Sequence, residues 1–201
     1  MGDAIEVERK AHVTDVSDLA ARLDRLGRLE GAIEYRDTYY TRADIEGYTF
    51  TRFRLRRAGD KSFVAFKQLL PGGADAVRER EFEVGDGEAF AALCDLFGLK
   101  ELFRKEKRGQ RWLLLPGAAP GLTRPARAEL IEIVGLGPFI EIEVMVDQAG
   151  EVPEAERTIA AALDALAVPA DAVERRPYTK MLYDIQNPAP GAAREAKKGN
   201  Q

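Results

Sequence analysis

The sequence predicts an α+β fold, built on a closed antiparallel β-barrel of eight or so strands with helices packed outside it. Three observations carry that expectation. Segments alternating with a period of two recur along the chain, most of them joined by hairpin-length turns. Nearly every such segment has one apolar face and one charged face. Between them lie stretches whose apolar residues recur at three- and four-residue spacing, the stripe of an amphipathic helix. Closing the sheet turns one face inward, and alternation alone leaves open which one. An apolar interior is the commoner pattern, whereas a charged lumen needs helices to cover the apolar outside.

The elements follow in order. Residues 5–13 form a strand with Glu6, Glu8, Lys10 and His12 on one face. Ile5, Val7, Ala11 and Val13 take the other, with Arg9 interrupting the apolar row. Thr14 or Asp15 caps a helix to about residue 26, striped by Val16, Leu19, Leu23 and Leu26 and stopped by Gly27. Residues 35–41, rich in Tyr and Thr, read as a strand with Asp37 and Tyr39 on one face. Arg52-Phe53-Arg54-Leu55-Arg56 alternates cation and hydrophobe, Gly59-Asp60 turns the chain, and residues 63–68 form the next strand. After a Pro71-Gly72-Gly73 loop, residues 77–84 set Glu79, Glu81 and Glu83 opposite Arg78, Arg80 and Phe82.

A second helix fits residues 88–97, with Gly98 as its stop. Residues 102–115 read as two strands or one bent strand, broken near Gly109. Beyond a loop at 116–125, residues 127–134 and 139–146 are strands around the tight connection Gly135-Leu136-Gly137-Pro138. The later one sets Glu141 and Glu143 against Ile140, Ile142, Val144 and Val146. Pro153 opens a third helix to about residue 167, and a short fourth covers 178–185. No domain boundary is visible within 1–186, and the Ala/Pro/Gly/Lys-rich stretch 187–201 reads as a disordered tail.

Composition narrows the chemistry. Lys and Arg total 30 against 34 acidic residues, so the basic excess expected of a nucleic-acid binder is missing. The lone Cys94 cannot form an internal disulfide and belongs to a helical stripe, which suits core packing and a reducing, cytoplasmic setting. No apolar run is long enough to span a membrane, and no signal-peptide pattern opens the chain. Ser17 and Ser62 lack a G-x-S-x-G elbow, and one His with one Cys cannot build a zinc cluster. A phosphate-binding G-x-x-x-x-G-K-[ST] loop is missing too. Glu, Arg and Lys remain in abundance, and they suit a hard, oxygen-bound cation and a polyanion.

Glu6-Val7-Glu8-Arg9-Lys10 matches E-x-E-x-K, the signature of the CYTH superfamily of triphosphate tunnel metalloenzymes. Asp37-Thr38-Tyr39-Tyr40, Phe53-Arg54-Leu55-Arg56, Phe66-Lys67 and Arg80-Glu81-Phe82-Glu83 follow in that family's order. The segment Gly135-Leu136-Gly137-Pro138-Phe139-Ile140-Glu141-Ile142-Glu143 is similar to G-L-G-x-F-x-E-x-E of class IV adenylate cyclases and their relatives. Pro177-Tyr178-Thr179-Lys180-Met181-Leu182 resembles their S-Y-x-x-L-L helix, with Pro for Ser.

The resemblance implies an eight-stranded tunnel with its charged faces inward. It implies that Glu6, Glu8, Glu141 and Glu143 hold Mg2+ or Mn2+, and that Lys10, Arg54, Arg56, Lys67, Lys105 and Lys107 bind phosphates. Lys10, Arg56 and Lys67 are the implied catalytic residues. The family pattern around Lys105 is K-x-R, which leaves Arg108 as an alternative to one lysine; Arg9, Arg57 and Lys61 read as surface charges. The implied activity is that of a metal-dependent enzyme on a small-molecule triphosphate. One version cyclises ATP to cyclic AMP and pyrophosphate. A second hydrolyses inorganic, thiamine or nucleoside triphosphate, and a third only binds polyphosphate or nucleotide. No nucleic-acid or membrane partner is expected, and a homodimer is left open. One departure stands out. The strand before Gly135 carries L-D-x-V in cyclase-like members, and its aspartate aligns with Ile131, with Glu129 on the same face and Glu132 on the other.

Overall fold

The computed structural model describes residues 4–48, 53–69 and 76–187. Arg52, the Pro71-Gly72-Gly73 loop and the predicted tail from 188 onward lie outside the described residues. The strands are β1 (Ile5–His12), β2 (Gly27–Arg42), β3 (Phe53–Ala58), β4 (Lys61–Leu69), β5 (Ala76–Val84), β6 (Leu99–Leu114), β7 (Ala126–Ile133), β8 (Gly137–Val146) and the two-residue β9 (Val173–Glu174). The helices are α1 (Val16–Leu26), α2 (Gly87–Leu96), α3 (Val152–Ala165) and α4 (Tyr178–Gln186).

Strands run antiparallel in the spatial order β5-β4-β3-β2-β6-β7-β8-β1. A further pairing of β1 with β5, through Ile5, Glu6 and Val7, closes them into an eight-stranded barrel. Farther along β1, the edge at Lys10 and Ala11 is taken by β9, which the alternation pattern had not revealed.

The barrel is charged inside and apolar outside. Ile5, Val7 and Ala11 of β1 join Ile140, Ile142 and Val144 of β8 in a core covered by Leu19 and Leu23 of α1 and by Ile159 and Leu163 of α3. On the other flank Tyr40, Leu55 and Val64 pack with Cys94 of α2, the core role expected of that cysteine. Fully burying a large aliphatic side chain stabilises by about 1.5–3 kcal/mol, so the layer between sheet and helices holds the barrel. The lumen is thereby freed to carry charge.

Two glycines explain where the sequence reading and the structure differ. Gly27 stops α1, as expected, but β2 begins on it rather than near residue 35. Its extended backbone donates to Leu23 O, and a Cβ there would lie 2.4 Å from Leu113 O, so helix passes to strand without a loop. Gly109 does not break β6, which is one strand from Leu99 to Leu114. A Cβ at Gly109 would lie 2.1 Å from Leu130 O, so this glycine lets β7 approach closely.

One stretch of the lumen wall is apolar. Ile33, Gly109, Ile131 and Phe139 stand in register across β2, β6, β7 and β8. Tyr178, Met181 and Leu182 of α4 pack against this band. No described helix is long and apolar enough to cross a membrane.

Candidate active site in the barrel lumen

Strand parity brings the predicted site residues together. Glu6, Glu8, Lys10, Arg54, Arg56, Lys67, Lys105, Lys107, Glu141 and Glu143 all line one cavity of about 690 Å3 inside the barrel. Each occupies an inward position of a strand whose alternate residues are held by the outer core.

One wall is basic. Asp37 of β2 stands opposite Arg56 of β3 and Lys105 of β6 in the ladder. Arg56 grips its carboxylate as a fork, Nε and Nη2 donating at 2.8 and 3.0 Å. Lys105 Nζ lies 3.3 Å away and Arg54 Nη1 3.8 Å. Burial alone would raise the carboxyl's pKa, but Lys105, Arg54 and Arg56 outweigh it and hold Asp37 well below the usual range. Arg54 also donates to Glu79 at 2.7 Å. The Arg56 guanidinium lies 4.3 Å from the centre of the Tyr35 ring.

The opposite wall is acidic. Glu6 and Glu8 of β1 and Glu79 of β5 surround Lys67 Nζ at 3.0, 3.7 and 3.3 Å. Burial pushes Glu6 well above the ordinary value despite Lys67, with Glu8 and Glu79 adding repulsion. Glu8 goes the other way: burial opposes its ionisation, yet Lys67 and the other lumen lysines depress its pKa. Glu143 faces Glu8 across the β1–β8 ladder, and Arg127 Nη1 donates to it at 3.1 Å. Burial raises Glu143 too, helped by Glu8 and Glu129. Lys107 Nζ bridges Glu141 and Glu129, while Arg111 clamps Glu129 and donates to Tyr35 Oη at 3.0 Å. Against the effect of burial, those two cations take Glu129 down to about 2.

Among the described residues no three His, Cys, Asp or Glu groups are arranged as a metal centre. The chemistry of the donors nevertheless fits a hard divalent cation, since Glu6, Glu8, Glu141 and Glu143 offer only carboxylate oxygens. Burial first, and then the neighbouring carboxylates of Glu8 and Glu79, make an ionised Glu6 costly, and a cation bound there would offset that cost.

The CYTH domain family matches residues 4–178. The chain belongs to the CYTH family. Its members are largely enzymes acting on triphosphates, triphosphatases and adenylate cyclases among them, and are typically metal-dependent. The PH1819 protein from Pyrococcus horikoshii OT3 is 25% identical with a TM-score of 0.73, over 90% of this chain and 99% of that one. A provisionally assigned adenylate cyclase from Vibrio parahaemolyticus shares the fold at 18% identity and TM-score 0.69, over 90% of this chain and 99% of its own. HpAC1 from Hippeastrum, a provisionally assigned adenylyl cyclase with a dominant triphosphatase activity, shares it at 15% and 0.59, over 94% and 98%. No curated protein matches.

This CYTH lumen holds more than the motifs named. Glu79, Arg111, Arg127 and Glu129 line it as well, and Asp37 is buried beneath the cations of its basic wall. Arg111 was legible by parity, two residues beyond Gly109 on the face of Lys105 and Lys107, but the supposed break at Gly109 hid it. Arg108 faces outward and pairs with Glu132 at 2.8 Å, so of the two candidates it is Lys107 that lines the lumen. Arg57 and Lys61 are also outside, with Glu88 and Glu83.

Proposed function

We propose that the lumen binds a triphosphate chain and that the protein is a metal-dependent, class IV adenylate cyclase-like enzyme converting ATP to cyclic AMP and pyrophosphate. The observation that carries the triphosphate reading is the surplus of buried donors. Arg54, Arg56 and Lys105 converge on the single carboxylate of Asp37, and Arg54 Nε is buried with no hydrogen-bond partner among the described residues. Forked guanidiniums suit phosphate oxygens, and the low dielectric of the lumen strengthens each such bond.

A Mg2+ or Mn2+ ion held by Glu6, Glu8, Glu141 and Glu143 would neutralise phosphate charge and acidify the attacking hydroxyl. Arg54 and Arg56 then fix the phosphate chain against one wall, and Lys67 and Lys107 balance the charge on the other. A second reading, hydrolysis of the triphosphate, is favoured by Ile131. Where cyclase-like members carry an acid, this lumen has an isoleucine buried in the apolar band.

Incubation with ATP or inorganic triphosphate, plus Mg2+ or Mn2+, followed by chromatography of the products tests both. Cyclic AMP with pyrophosphate is the expected outcome, and orthophosphate without a cyclic product selects hydrolysis. Tight triphosphate binding without either product leaves a binding protein. Full turnover in excess EDTA sinks the metal-dependent reading.

A further inference from the structure

Tyr178 is the first residue of α4, and its position is fixed from several sides. Its ring packs edge-to-face on Phe139 with centroids 5.0 Å apart and joins Met181 and Leu182 in the apolar band. Only 8% of the residue is exposed, yet it lines the lumen. Lys10 Nζ lies 5.1 Å and Lys105 Nζ 5.6 Å from the ring centre. The hydroxyl is buried and has no hydrogen-bond partner among the described residues. The Glu141 carboxylate is the nearest charged group to the hydroxyl, which a phenol O–H can approach only as a donor. A buried, unpartnered hydroxyl costs stability unless something else repays it.

We infer that the Tyr178 hydroxyl is a substrate-binding donor, which hydrogen-bonds a phosphate oxygen held between Lys10 and Lys105. The inference rests on the triphosphate reading of the lumen and adds a contact supplied by α4 rather than by the barrel. In the ligand-free protein the hydroxyl is a stability cost, and in the complex it gains a charged acceptor.

Tyr178→Phe removes the hydroxyl and leaves the ring, its packing and its cation contacts in place. The measurements are thermal unfolding without ligand and calorimetric titration with inorganic triphosphate in EDTA, each on parent and variant. The variant is expected to melt at the same temperature as the parent or higher, and to bind triphosphate roughly 10- to 100-fold more weakly, the scale of a hydrogen bond to a charged group. A variant that melts lower shows that the hydroxyl is structurally bonded and overturns the inference. Equal affinity in the two proteins overturns it as well, while leaving the triphosphate reading intact. A parent that binds triphosphate neither in EDTA nor with added Mg2+ sinks that reading, and the hydrogen bond with it.

Discussion

The two walls of the lumen are built from the same residue types and have opposite imbalances. On the β2–β3–β6 side, three cations share Asp37, with Glu79 reaching across to Arg54, so donors exceed acceptors. On the β1–β5 side, three carboxylates share Lys67, so acceptors exceed donors. Neither wall is self-satisfied, and the imbalances are complementary. One suits a polyanion and the other suits a cation. Ion pairs made only to hold the barrel together would match one for one, and the outer cores already perform that task. The pairs within the lumen therefore read as a charge reserve for ligands, with Asp37 and Lys67 as the internal counter-ions that keep each wall foldable.

The sharpest way to break this comparison is to remove the counter-ion of the basic wall. Asp37→Asn keeps shape but leaves Arg56 and Lys105 buried without their shared carboxylate, and Arg54 with Glu79 alone. Breaking a buried pair by deleting one partner costs about 3–5 kcal/mol. The variant's urea midpoint should fall accordingly at pH 7. A loss below about 1 kcal/mol, the scale of an exposed pair, would mean that water already screens this wall.

Next in size is the effect of removing donors. Arg56→Ala and Lys67→Ala should each lower turnover by roughly 10²–10³-fold, the scale for losing one preorganised charge-stabilising group. Arg57→Ala, one residue away but outside the barrel beside Glu88, should leave turnover nearly unchanged. Steady-state rates on the substrate found above decide it. A critical Arg57 with a silent Arg56 would reverse the inward face of β3.

That neighbouring pair also shows how far the sequence could be read. Period-two alternation put Arg56 and Arg57 on opposite faces, and the ladder agrees, because a strand backed by a helix cannot slip by one residue without burying its charges outside. It could not decide which face points in. Inward closure depends on α1, α2 and α3 covering the apolar outside, a tertiary fact that only the motif resemblance supplied. β2 starts on Gly27, which the pattern reads only as a helix stop, and of the two readings of residues 102–115 the single strand holds; each glycine marks the close approach of a neighbouring strand. Asp37 was visible as part of a motif, but its service to three cations from the two strands that flank it needs the sheet to be seen.

The smallest expected effect sharpens the comparison from the acidic side. Glu6→Gln removes one of the three carboxylates around Lys67, leaving Glu8 and Glu79 to hold it. The Glu6 pKa is raised in the folded state, so what this group contributes to stability is present below its unfolded pKa and is lost as pH rises through the folded one. Burial makes the ionised form of Glu6 a burden, and a neutral Gln relieves it. Without metal, the variant should be at least as stable as the parent at pH 7. The difference should shrink as the pH is lowered and Glu6 protonates in the parent. Glu79, taken down to about 2 by Arg54 and Lys67 against the effect of burial, has the opposite sign. Its stabilisation holds at neutral pH and fades in acid, between the ordinary Glu value and about 2. Urea midpoints of the parent, Glu6→Gln and Glu79→Gln at pH 7 and pH 3 test the contrast. A Glu6→Gln variant destabilised at pH 7 as strongly as Asp37→Asn would make Glu6 a structural clamp on Lys67, and the two walls would no longer differ in kind.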